Sequence, residues 1–336
     1  VGVVDSLPYQ CFMVPGNHDR DVYRGLKSST YRRRDLSTWR KVVGYVDTSF
    51  VRGNVRFVLM NNVRHSDSGM TDYVGGFTDR QKHWLDSVLN MGVGETSGKK
   101  PSRVERNPSL TILATHIPFS QMKGRDSVLA MVPDTLRLLL VSGHTHFVSR
   151  DDSFRELIAG AACGSWWRGV KDSDGIPYAL QSCGAPRGYF VADIYRDGTY
   201  ALSYKCIGRP ASDQLSVWAV PSDSTGSSYR LYINVFGGSS DGIVRISGLG
   251  RRNCACERSQ MAAPEVEQVI RLNASRSRDY RKAHRDEFIP LRRKPSPHLW
   301  QTVDLISGPL PAHVNVIYRD AHMRIRQRVR ISYVQE

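Results

Sequence analysis

Apolar positions in this chain gather into short runs that stop abruptly at polar clusters. Cys11-Phe12-Met13-Val14, Asn54 to Met60, Thr111 to Thr115 and Leu138 to Ser142 have the length and continuity of strands covered on both faces. Between them, Thr78 to Leu89 carries Trp84, Leu85, Val88 and Leu89 at helical spacing, with Thr78 in N-cap position, and predicts an amphipathic helix. Gly92 to Asn107, rich in glycine, serine and lysine, predicts a surface loop, and Val132 to Leu139 either a short helix or an extended approach to Ser142. Ile158 to Gly164 is small and apolar and leads into Ser165-Trp166-Trp167. Tyr189 to Ile194 and Tyr200 to Cys206 predict two strands around the turn Asp197-Gly198.

Beyond about residue 208 the texture changes to strands and turns: Leu215 to Val220, Arg230 to Phe236, Ile243 to Ile246, and a final hairpin of Val314 to Arg319 with Arg324 to Val334. In the last strand Met323, Ile325, Val329, Ile331 and Tyr333 share one face, while Arg324, Arg326, Arg328 and Arg330 share the other. Such a comb of arginines fits an edge strand guarded against pairing with other chains, and it also fits a grip on phosphates. The pattern divides the chain into an α/β domain over residues 1–207 and an all-β sandwich of immunoglobulin-like architecture over residues 208–336.

Charge adds a second layer. A formal net charge of +15 over 336 residues makes an anionic partner plausible on electrostatic grounds. Nucleic acid is one such partner but not the favoured one, because neither an aromatic-interleaved RNA-binding motif nor zinc-finger spacing accompanies the local clusters Arg32-Arg33-Arg34, Arg251-Arg252 and Arg292-Arg293-Lys294. Six cysteines, at 11, 163, 183, 206, 254 and 256, lack metal-ligand spacing, and pairing among them is left open. No apolar run reaches the length of a membrane-spanning helix. The sequence is silent on oligomeric state.

The candidate chemistry sits where strands end. Gly16-Asn17-His18-Asp19 follows the first apolar run, His116 the third, and Gly143-His144-Thr145-His146 the fourth. Open α/β sheets bind ligands at the carboxyl ends of their strands. Imidazole and amide oxygen suit metals of intermediate hardness, and imidazole also moves protons near neutral pH. His65, His83, His284, His298, His313 and His322 lack this setting and read as ordinary core or surface residues.

The order Gly-Asn-His-Asp, strand-Thr-His, Gly-His-Thr-His resembles the calcineurin-like metallophosphoesterases. Tyr73 to Thr78, His116-Ile117-Pro118, Gly164 to Gly169 and Asp174 to Pro177 resemble a bacterial branch in which a β-sandwich follows the catalytic domain. The resemblance implies an αββα sandwich holding two metal ions (Mn, Fe or Zn), a phosphoester substrate and hydrolysis by activated water. Carried over by motif, Asn17, His116 and His144 bind one ion and His146 the other. His18 stabilises or protonates the departing group, and Trp166 and Trp167 stack on substrate. The branch also implies export, to the bacterial periplasm or beyond.

The family's Asp-x-His and Gly-Asp blocks are not found upstream of Asn17, and the chain begins with Val1. The expectation is therefore a catalytic domain lacking its first strands, with one metal site incomplete. The contrasting expectation is a non-catalytic scaffold whose degenerate site leaves it to bind an anionic polymer.

Overall fold

A computed structural model describes residues 2–24, 31–65, 73–91, 107–250 and 254–334. The loop expected at Gly92–Asn107 lies outside them except for Asn107, as do Arg251 and Arg252. The chain forms two compact units, one of Val1–His144 with Arg155–Leu157 and Ile194–Thr199, the other of Thr145–Phe154, Ile158–Asp193 and Tyr200–Glu336. Each unit is therefore assembled from more than one stretch of the chain.

In the first unit, β1 (Thr48–Arg52) and β2 (Val55–Leu59) form an antiparallel hairpin, and β3 (Val63–His65) pairs with β4 (Tyr73–Gly75). Helix α1 (Asp79–Met91) follows, then β5 (Leu110–Ala114) and β6 (Leu138–Ser142). β5 lies parallel between β2 and β6, with Leu59 opposite Ala114 and Ala114 opposite Val141. Its burial explains the unbroken apolar run, since a strand flanked and covered on both faces has no solvent side to alternate with. Helix α1 begins as expected: the Gln81 amide donates to Thr78 Oγ1 (3.2 Å) and the Thr78 amide to Gln81 Oε1 (3.0 Å), the reciprocal capping box.

One predicted strand is not there. Cys11 to Val14 pairs with no strand among the described residues; Cys11 and Phe12 are exposed, and Phe12 stacks on Phe50 at 4.0 Å. Aromatic packing, with Met13 N–H donating to the Tyr45 hydroxyl at 2.8 Å, holds the segment in place of a ladder. Likewise, of the stacked sheets implied by the αββα resemblance, the described residues of this unit hold β1-β2-β5-β6, the small β3–β4 pair and a further antiparallel pair of Asp21–Arg24 with Tyr31–Asp35.

In the second unit the strands β7 (Leu215–Pro221), β8 (Ser228–Val235), β9 (Ile243–Ser247) and β10 (Cys254–Arg258) precede two helices, α2 (Pro264–Ser275) and α3 (Arg278–Ala283). Strands β11 (Leu299–Thr302), β12 (His313–Arg319) and β13 (Arg324–Tyr333) complete it. The two-sheet immunoglobulin-like sandwich is not what forms. β7 pairs with both β8 and β13, so the order β7-β13-β12-β9-β10-β11-β8 closes on itself as a barrel. The alternation that suggests one face of a sandwich serves a barrel wall equally well, because both bury every second residue. Val217 opposite Ile331, Val314 opposite Val329 and Ile233 opposite Trp300 face the filled interior.

Helices α2 and α3 escape a reading of this region as strands and turns alone. Helix α2 has Pro264 at its first turn and buries Val266, which clusters with Leu180, Ala263, Ile289 and Leu299.

Two buried polar systems stitch the second unit. Arg150 donates to Asp320 Oδ2 and Asp152 Oδ1, both at 2.9 Å, with the Arg150 and Asp320 side chains each 1% exposed. Asp320 Oδ1 accepts from the backbone amides of His322 (2.7 Å) and Met323 (2.6 Å). Burial pushes the Asp320 carboxyl up, but the Arg150 guanidinium outweighs it and holds the group below the ordinary carboxylate range. Separately, His298 is fully buried with Nδ1 2.6 Å from Asn234 Oδ1; burial, aided by the Arg258 charge, drops its pKa to about 3. All six cysteines are free, and burial raises the Cys183 thiol to about 11. No helix among the described residues is long and apolar enough to cross a membrane.

Candidate metal centre

Parallel β5 and β6 point their carboxyl ends the same way, so the loops that follow open on one edge of the sheet. His116 stands two residues past β5 and His144 two past β6. The two rings meet edge-on at 4.8 Å between centroids, with His144 Nδ1 3.0 Å from His116 Nε2. Asn17, from the turn after the unpaired segment, brings Oδ1 to 2.8 Å from the same His116 nitrogen. Three of the residues expected to bind one ion thus converge within the first unit.

Supporting contacts fix each member. Gly16 must be glycine because a Cβ there would come within 2.9 Å of His116 Cε1. Asp19 turns back on its own loop, its Oδ2 accepting from the Gly16 amide at 2.7 Å, which makes it a loop brace. Tyr73 approaches His144 from the other side, its hydroxyl 3.4 Å from Nε2, so that ring is held at one nitrogen and offers the other. His65 lies edge-on to Tyr73 at 5.5 Å. Neither Tyr73 nor His65 stands out in the sequence as a site residue, because their proximity comes from the β3–β4 register, in which they are directly opposite.

Asn62, fully buried, clamps the His116 loop by donating from Nδ2 to the Ile117 carbonyl (2.7 Å) and accepting at Oδ1 from the Ile117 amide (3.0 Å). Asn62→Ala leaves both Ile117 groups without this partner and is expected to cost about 2–4 kcal/mol in urea unfolding. A loss below about 1 kcal/mol would show that the clamp is dispensable.

His144 (φ 67°) and His146 (φ 53°) both adopt left-handed backbone, a conformation costly for residues with a Cβ. Strain of this kind clusters at functional sites, where surrounding structure holds it in place. In the second unit, His146 Nδ1 lies 2.6 Å from the Ser165 carbonyl, and its ring is 6.0 Å from Trp166. Trp166 and Trp167 are each 55% exposed, so they do not seal a core. Arg187 lies over the Trp167 ring at 4.8 Å. His18 is exposed on the turn, next to Asn17.

Within the first unit, Glu156 lies at the start of a short strand, Glu156–Ala159. It is buried, accepts from the amides of Phe119 (2.6 Å) and Ser120 (3.2 Å), and so braces the loop beyond His116. Residues 156–317 match the family model for the C terminal of calcineurin-like phosphoesterase. The match supports the calcineurin-like phosphoesterase family. It spans α2, α3 and most of the barrel and leaves Asn17, His116, His144 and His146 outside its limits. A comparison with curated proteins finds no match. Calcineurin-like phosphoesterases are generally hydrolytic and use divalent metals.

The first-unit residues fit such an ion in type and spacing. Ligand atoms about 2.0–2.2 Å from one metal lie roughly 3 Å from each other at neighbouring positions. That is the separation seen between His116 Nε2 and its two neighbours. The donor set is neutral, however. Among the described residues no group of three or more His, Cys, Asp or Glu is placed to hold a metal, so no bridging carboxylate accompanies them. The arrangement suits one ion better than two.

Proposed function

We propose that this chain is a metal-dependent phosphoester hydrolase in which Asn17, His116 and His144 hold an ion. The single observation carrying this reading is the convergence of Asn17 Oδ1 and His144 Nδ1 on His116 Nε2. Bound ions of this class supply positive charge for a phosphoester and lower the pKa of water. The residues themselves do the rest. Tyr73 and Asn62 hold the donor rings and loop in register, and Gly16 keeps the space beside His116 clear. Exposed His18 can reach a bound substrate and hand a proton to the departing oxygen, work that suits an imidazole near neutral pH. In the second unit, the exposed faces of Trp166 and Trp167 are suited to stacking on an aromatic base or a sugar.

The test is hydrolysis of an aryl phosphomonoester and an aryl phosphodiester by protein loaded in turn with Mn, Fe and Zn. His18→Ala should lower kcat by about 10²-fold while metal content stays constant. A protein that binds none of these ions, or binds them without cleaving either ester, ends this reading.

A further inference from the structure

The arginine comb is not explained by edge protection. β13 pairs with β12 along the strand and with β7 at Ile331 to Tyr333, which makes it an internal member of the barrel wall. Moreover, the comb extends across strands. Arg324 is opposite Arg319; Arg326 is opposite Ile317, which is itself opposite Arg245; Arg330 is opposite His313. The outward positions of β9, β12 and β13 therefore carry six arginines and no acid. Among the described residues none of the six takes part in an ion pair. Six like charges on one wall repel one another, a cost that an anionic partner would relieve.

A second feature marks the same place. The first half of β13, not paired with β7, borders a cleft of about 520 Å³. Arg324, Arg326 and Arg328 line it together with Ser203, Ser212 and Gln214, and no acidic residue does. Hydroxyl groups beside guanidinium groups are the donor set of a phosphate site, while Gln214 shapes the cleft wall, its Nε2 donating to the Tyr204 and Ala211 carbonyls at 2.6 Å each.

We propose that this wall binds the phosphodiester backbone of a single-stranded nucleic acid, with successive phosphates on Arg324, Arg326, Arg328 and Arg330 and the cleft receiving one end of the row. Alternate residues of a strand repeat every ~6.8 Å, a pitch close to that of charges along an extended sugar–phosphate chain. A convex barrel wall offers one such row to a linear chain but meets a flat bilayer poorly. No Phe, Tyr or Trp shares the outward positions with the arginines, so bases have no broad stacking platform and recognition rests on the backbone. Binding should accordingly be indifferent to base and steeply sensitive to salt.

The experiment is fluorescence anisotropy of the full chain with a labelled oligothymidylate across a salt series. Each phosphate contact contributes about 0.7 to the slope of log K against log salt. Arg326→Gln should reduce the slope by about 0.7, and R324Q/R326Q/R328Q/R330Q by about 3, with at least ~10-fold weaker binding at low salt. The control R80Q/K123Q/R292Q/K294Q removes as much charge elsewhere and should bind like the parent. Equal losses in both fourfold variants would overturn the proposal in favour of bulk charge. So would absence of oligothymidylate binding at low salt, or retention on heparin or phosphatidylglycerol vesicles without it. Metal-free protein gives the same reading, so failure of the hydrolase proposal leaves this one standing.

Discussion

His116→Ala is expected to abolish both tight metal binding and phosphoester hydrolysis, with kcat/KM falling by at least about 10²-fold. The expectation rests on position as much as on residue type. His116 Nε2 is the one atom that both Asn17 Oδ1 and His144 Nδ1 face, so its removal takes the centre out of the donor set. Loss of an outer-shell partner of a metal ligand already costs about 10–100-fold in affinity or activity, and loss of the ligand itself should cost more. The fold should survive. The Ile117 clamp from Asn62 and the pairing of β5 with β6 do not involve the imidazole, so the unfolding midpoint should move little. Metal content per chain, measured beside turnover, separates this outcome from misfolding. A variant that keeps full metal content and activity would remove His116 from the site.

Mild acid is expected to destabilise the second unit well before ordinary carboxylates titrate. His298 is neutral when folded down to about pH 3, whereas an unfolded histidine takes up a proton near 6.5. Above 6.5 neither state binds the proton and the stability is complete. Between 6.5 and 3 only the unfolded chain gains it, so stability falls by about 1.4 kcal/mol per pH unit. Asp320, held below its ordinary 3.8, adds a loss of the same sign once the pH drops under that value. Urea unfolding at intervals from about pH 7 to 4 should lose roughly 3 kcal/mol, and His298→Gln should flatten that profile. A flat profile in the parent would show that His298 is not buried as a neutral base.

Much of the fold is legible in the sequence where short-range rules govern it. β2, β5 and β6 end within a residue or two of the predicted points because each apolar run stops at a polar cluster. The capping pair Thr78 and Gln81 is local in the same way. Cys11 to Val14 shows the limit of the rule: an apolar run licenses a strand only where another strand lies beside it. Helix α2 carries a readable signal, Pro264 before Val266, Val269 and Ile270, but acidic and polar neighbours such as Glu265, Glu267 and Gln268 dilute its apolar stripe. Barrel or sandwich was not decidable, since closure depends on whether β7 meets β13, a contact between residues remote in the chain.

The candidate site divides along the same line. Asn17, His116 and His144 follow from motif order, and their convergence agrees with it. Tyr73 and Asn62 act through register and burial, which no short motif encodes. His146 lies in a different unit from the others, although only Thr145 separates it from His144.

The closing pair of the barrel has a bearing on how the second unit folds. β7 and β13, its first and last strands, meet over three residue pairs, Val217–Ile331, Trp218–Ser332 and Ala219–Tyr333. Every other seam of the ring joins strands that run antiparallel. Joining the two ends brings together the most distant parts of the ring's sequence, and the chain entropy surrendered there is repaid by only this short ladder. The seam is thus the natural point of opening, where backbone amides exchange with solvent first and the ring can part without dismantling its hairpins.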